Sequence, residues 1–273
     1  MRSMIKMATR YPWSVSKAYY SNVSLDVSSQ EESPTDITFK SDGTKMYVVG
    51  AVNDSVYQYS LSTAWDLSTA SYDSVSFSVT TQEAGPVGIA FKSDGTKMYV
   101  LGTTTGDAVY QYSLSTAWDL STASYDTVSL NVTTENTNPS SIALKSDGTK
   151  LYVIGYTAPA TVFQYTLSTA WDLSTATYDS VSFSVSSQET IPLGLTFKTD
   201  GKKMYVVGAA NPKSIYQYSL STAWDLSTAS YDSVLFSISA QASSGASGIA
   251  WETSGTKIYM VEGAAKKVFQ YIV

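Results

Sequence analysis

Residues 88–132 read GIAFKSDGTKMYVLGTTTGDAVYQYSLSTAWDLSTASYDTVSLNV, and this stretch decides the fold. It contains four strand-like runs. Gly88–Phe91 is apolar with small residues interleaved, and Ser93-Asp94-Gly95-Thr96 then reverses the chain, with glycine supplying the positive φ of a tight turn. Lys97–Leu101 and Val109–Leu114 follow. The fourth run, Thr127–Val132, alternates apolar and polar residues with period two, the pattern of a half-exposed edge strand.

The same phrases recur along the chain. Trp13, Trp65, Trp118, Trp171 and Trp224 are spaced by 52, 53, 53 and 53 residues. Around them runs TAWDLSTASYDSVSF at 63–77, with close copies from Thr116, Thr169 and Thr222; a diverged copy, YPWSVSKAYYSNVSL, starts at Tyr11. DGTK falls at Asp42, Asp94 and Asp147, as DGKK at Asp200 and as SGTK from Ser254. Five units of four antiparallel strands predict an all-β fold, a single five-bladed β-propeller.

The chain opens on a fourth strand alone (21–28) and ends after a third (268–273). Pairing the two closes the ring: the N-terminal strand completes the C-terminal blade and no edge stays loose. Residues 11–273 are thus expected to form one monomeric propeller, with residues 1–10 a tail. Along the first strand, Ile37, Ile89, Ile142, Leu195 and Ile249 align, as do Phe39, Phe91, Leu144, Phe197 and Trp251. Small or polar residues stand between them, so bulky faces should fill the hollow faces of neighbouring blades.

The phrase GIAFKSDGTKMYVLG…VYQYSLS from Gly88 resembles the repeat of YVTN-type and NHL-like propellers, over about half of each unit. That resemblance implies a propeller and leaves activity open, because those families range from enzymes to adhesive surface proteins. The AWDLSTASYDSV extension is similar to repeats in bacteriophage and marine viral proteins, which implies a virion or host-contact setting.

Composition removes several function classes. The chain has 273 residues, 17 Lys and Arg against 23 Asp and Glu, a net charge of −6, and neither cysteine nor histidine. Disulfides, thiolate chemistry, Cys/His zinc sites and a Ser-His-Asp triad are excluded. Nucleic acid is not an expected partner without a basic stripe. No window reaches the roughly 18 apolar residues of a membrane span, and the N-terminus shows no secretory h-region. No cofactor and no metal are expected.

The five copies differ on one face of the disc. Turns joining first to second and third to fourth strands are nearly constant. Turns joining second to third strands vary, as do those joining blade to blade. Drift under unequal packing constraint explains this, and so does ligand contact, since loops on a rigid scaffold often carry binding residues. The candidates on that face are Asn53, Asp107, Asn136, Asn138, Tyr156 and Asn211, with the recurring Gln30, Gln82, Gln188 and Gln241.

An exposed indole beside Asp could stack on sugar rings. The favoured reading of the five tryptophans is structural, packed over the outer edge of the sheet. A glycosidase-like site would need acids on several inner strands. Only Asp36 occupies such a position, its counterparts being Gly88, Ser141, Gly194 and Gly248. It is the one residue to test for a channel-bound water or cation, although a strand-start turn carboxylate is the simpler expectation. Glu31, Glu32, Glu83, Glu135 and Glu189 read as solvated turn carboxylates. The expectation is therefore a non-catalytic module that binds glycans or a cell-surface receptor through the variable face. A structural spacer in a viral or surface assembly ranks second and a hydrolase last.

Overall fold

The computed structural model describes residues 11–273, so the expected tail at 1–10 lies outside the described residues. Five four-stranded antiparallel sheets form a five-bladed propeller. Blade I runs outward from the axis through Pro34–Phe39, Lys45–Gly50, Ser55–Leu61 and Ala70–Ser78. The inner strands of blades II to V are Pro86–Phe91, Pro139–Leu144, Pro192–Phe197 and Gly248–Trp251. In blade V the outermost strand is Tyr19–Asp26, paired antiparallel with Lys267–Ile272. The N-terminal strand does complete the C-terminal blade.

The core is five wedges between blades. In one of them Phe39, Met46, Val48, Tyr59 and Trp65 of blade I pack with Tyr259, Val261 and Val268 of blade V. Repeated side-chain bonds hold each wedge shut. The second-strand tyrosine of every blade donates to the tryptophan carbonyl of the next, as Tyr47 does to Trp118 and Tyr99 to Trp171, each at 2.7 Å. A third-strand glutamine reaches the same way: Gln58 Oε1 accepts the Leu120 amide at 3.0 Å while its Nε2 donates to Asp73 at 2.8 Å. Lys45 pairs with that same Asp73 carboxylate at 3.0 Å. At the seam the motif changes. Ser21 stands where the other blades have Asp, and Lys257 turns to the Trp65 carbonyl at 2.6 Å.

The tryptophans correct one expectation. They sit near the axis, beside the inner strands, instead of over the outer edge. Trp65 lies on Gly43 of the DGTK turn, donates its amide to the Gly43 carbonyl at 3.0 Å, and packs against Phe39 with ring centroids 5.3 Å apart. Each of these turn glycines has a φ between 71° and 76° and no room for a Cβ under the indole. Both constraints act on the same atom, which accounts for the invariant glycine. Gly148→Ala, which meets Trp171, should therefore cost about 2–4 kcal/mol. Thermal unfolding should fall by roughly 5–15 °C at this chain length. An unchanged melting temperature refutes this account of the turn.

Candidate active site: the axial cavity

The five inner strands surround the axis and run from the variable face to the constant face. They bring equivalent residues into rings. On the constant side the rings enclose a cavity of about 240 Å³. Among the described residues, Asp36 is its only ionisable lining residue. The wall is otherwise made by Ile37, Ile89, Ile142, Leu195 and Ile249, then Thr38, Ala90, Ala143, Thr196 and Ala250, with Trp65 and Trp224 nearer the rim. A smaller pocket of about 100 Å³ opens on the variable side among Thr35, Val87, Ser140, Leu193 and Ser247, bordered by Tyr156.

Asp36 is 4% exposed. The simpler expectation, a strand-start turn carboxylate, gives way to a side chain that points sideways between inner strands. Its Oδ1 accepts its neighbour Ile37's amide at 2.8 Å, and Oδ2 accepts the amide of Ile89 in blade II at 3.1 Å. Gly248 on the other side has no space for a Cβ because the carboxyl of Asp36 fills it. Burial pushes the Asp36 carboxyl up to about 8, against the opposing pull of the two amides.

The equivalent ring position explains the rest of the waist. Ser141 Oγ accepts the Leu195 amide at 3.3 Å, as Asp36 accepts that of Ile89. Gly88 and Gly194 offer no side-chain acceptor to the next blades; the Ile142 amide lies beside Gly88, and Gly194 abuts the Gly248 backbone that leads into Ile249. One carboxyl and two main-chain donors thus belong to a single ring. This asymmetry is visible in the sequence as Asp, Gly, Ser, Gly, Gly at one register, but its meaning depends on where each side chain points.

The candidates on the variable face do not converge. Gln30, Gln82, Gln188 and Gln241 are half-buried and accept from the hydroxyls of Tyr59, Tyr112, Tyr218 and Tyr271 at 3.3–3.5 Å. Asn53 is exposed and tied to the Gln30 carbonyl at 3.0 Å. Asp107 is half-buried at a φ of 47°, its carboxyl raised by burial and by Glu83. Asn136 is 1% exposed and receives Asn138 N and Thr157 Oγ1 at 3.0 and 3.1 Å. Asn138 is exposed beside Thr157, and Asn211 is exposed with its Oδ1 3.2 Å from Lys213. Of the set, Tyr156 alone borders a cavity there.

The glutamates of the blade-to-blade turns also depart from expectation. Glu31, Glu83 and Glu189 are fully buried. They fold inward to receive the amides of the adjacent variable turns: Glu31 those of Ser33 and Val52, Glu83 that of Thr104, Glu189 those of Ile191 and Ala210. Burial raises the Glu189 carboxyl, and its Oε2 has no partner. Glu32 stays exposed, and Glu135 is half-buried and takes the Tyr165 hydroxyl at 3.1 Å. Peptide groups that would otherwise face an apolar interior need these acceptors.

The family described as "Lactonase, 7-bladed beta-propeller" matches residues 26–155, a little under half of the chain. Among solved structures, a protein provisionally named a 6-phosphogluconolactonase from Bacteroides uniformis ATCC 8492 is similar at 10% identity and a TM-score of 0.53, covering 83% of this chain and 62% of that one. A protein with the same provisional name from Bacteroides fragilis NCTC 9343 is similar at 15% identity and a TM-score of 0.51, covering 75% and 55%. The chain thus spans less than two thirds of either structure, and at these identities the likeness speaks to the fold. No curated protein sequence matches. The family match nevertheless overturns the expectation of a non-catalytic glycan- or receptor-binding module, since the family that residues 26–155 resemble is one of lactonases.

Proposed function

We propose that the protein is a hydrolase that opens a cyclic ester at the inner end of the axial cavity. The observation that carries this reading is Asp36, the one ionisable group in the wall among the described residues, with its carboxyl raised to about 8 by burial. The family match supplies the reaction class. The resemblance of the repeat to YVTN-type propellers accords with it, since those families include enzymes.

A single acid suffices for this chemistry, unlike glycoside hydrolysis with its carboxylate pair. Ionised Asp36 takes a proton from water, and the resulting hydroxide adds to the ester carbonyl carbon. The amides of Ile142 and Ile249 receive the negative charge that develops on the carbonyl oxygen, as main-chain donors do in acyl transfer. The ring C–O bond then breaks, and protonated Asp36 returns its proton to the leaving alkoxide. A base whose pKa lies close to the working pH combines availability with driving force.

The test is hydrolysis of a panel of γ- and δ-lactones followed by pH-stat. Asp36→Ser borrows the residue that blade III already carries at this position and should keep the fold. Its kcat/KM should fall by about 10²–10⁴-fold. The parent's rate should climb with pH to a plateau above about 8, as Asp36 ionises. Undiminished hydrolysis by the variant would remove Asp36 from this role, and no turnover of any lactone would end the reading.

A further inference from the structure

We infer that the axial cavity takes a neutral cyclic ester and rejects phosphorylated sugar lactones. This rests on the lactonase reading and narrows it to a substrate class, in contrast with the phosphorylated substrate named for the two similar structures.

Charge comes first. Among the described residues, no lysine or arginine lines the cavity. The nearest candidates in sequence are Lys40, Lys92, Lys145 and Lys198, each directly after the ring of Phe39, Phe91, Leu144 and Phe197. Every one is already paired with an aspartate two residues on, at 2.7–2.8 Å. In blade V the equivalent residue is Glu252, whose carboxylate holds Thr256. A phosphate dianion entering here meets neutralised lysines and an extra acid. Asp36, ionised in its working state, repels it further. Moving such a charge from water without a partner costs several kcal/mol at least.

The wall chemistry points the other way. Phe39 packs on Trp65, Phe91 on Trp118 and Phe197 on Trp224, each with centroids 5.3 Å apart, and Trp251 packs on Trp13 at 5.1 Å. These pairs make an aromatic collar at the constant-side mouth. Below it the ring of Thr38, Ala90, Ala143, Thr196 and Ala250 offers two hydroxyls among three methyl groups. With Ser41 and Thr253 these are the side-chain hydroxyls of the lining, and none of these groups carries the positive charge that a phosphate would need. An alkyl-substituted lactone needs a place for one carbonyl and one ring oxygen only. The volume of about 240 Å³ lies below the range of about 300–1,000 Å³ usual for drug-sized ligands and suits one ring with a short tail.

The experiment compares three δ-lactones on the full chain: one carrying a propyl group, glucono-δ-lactone, and freshly prepared 6-phosphoglucono-δ-lactone. In parallel, the six-membered lactam with the same propyl group is titrated by tryptophan fluorescence as an unreactive probe. The expected kcat/KM for the propyl lactone exceeds that for the phosphorylated lactone by at least about 100-fold, and the lactam binds and competes. Preference for the phosphorylated lactone overturns the inference and leaves the lactonase reading standing. If no lactone turns over but the lactam binds and the phosphorylated lactone does not displace it, the lactonase reading falls and the charge selectivity of the cavity stands. Absence of both turnover and lactam binding ends both.

Discussion

The Asp36→Ser protein will match its parent in stability at pH 5, to within about 1 kcal/mol, and will exceed it by about 3–4 kcal/mol at pH 9. The figure follows from linkage. Below about pH 4 both folded and unfolded chains hold the Asp36 proton. Between that point and about pH 8 only the folded chain holds it, because burial raises its carboxyl to about 8. The folded state then binds more protons than the unfolded one, so stability falls by about 1.4 kcal/mol per pH unit as pH rises. Above about 8 both states are ionised and the loss is complete. Every other titrating group is common to parent and variant, so the difference between their urea denaturation curves isolates this residue. Parallel curves at pH 5 and pH 9 would show that the carboxyl is not held neutral. The conclusion for catalysis would fail with it, since the proposed base depends on the same burial.

Removing residues 1–26 will open the ring and cost the protein its fold. The deletion takes away the outer strand Tyr19–Asp26 and the buried Trp13 and Val15. It also removes two bonds between blades: the Tyr205 hydroxyl to the Trp13 carbonyl at 2.5 Å, and the Val15 amide to Gln217 at 3.2 Å. Trp13, Val15 and the half-buried Tyr20, Val23 and Leu25 together lose burial worth roughly 8 kcal/mol, at about 1.5–3 kcal/mol per fully buried side chain. That rivals the whole stability of an ordinary domain, about 5–15 kcal/mol. The edge of Lys267–Ile272 is left open to pair with another chain. Light scattering after size exclusion should show oligomers or aggregate, and a synthetic peptide of residues 11–29 should restore the monomer and its melting transition. A truncated chain that stays monomeric and melts as before would show that closure contributes little.

Five internal copies made the architecture legible. Blade number, strand order and the closing strand all follow from spacing and alternation, and the Asp42-Gly43 type of turn was readable because only glycine suits it. The site was less legible, for a physical reason. Sequence ranks Glu31, Glu83 and Glu189 as turn residues and therefore solvated, yet the turns fold over them and supply amides to the carboxylates. Trp65 was readable as structural, but its place by the axis depends on Gly43 lying beneath it across the sheet. The glutamines Gln30, Gln82, Gln188 and Gln241 looked like a recurring ligand set because they are polar and repeated. Repetition here reflects a tyrosine hydroxyl below each one. Asp36 was identified as the odd member of its ring, and what could not be read was its burial between strands. Its companions, the amides of Ile142 and Ile249, carry no side-chain signature; only the glycines opposite them hint at their place.

The seam between Tyr19–Asp26 and Lys267–Ile272 also sets a schedule. Ser21 and Gln270, bonded at 2.6 Å, are 249 residues apart in the chain. At roughly 5–20 residues per second on a ribosome, the opening strand waits roughly 12–50 s for its partner to be made. The intervening blades can assemble in that interval, but the ring cannot seal. A translation product cut short anywhere before the last strand carries an unmatched β-segment at its front, and quality-control factors could distinguish it from the finished molecule on that ground alone.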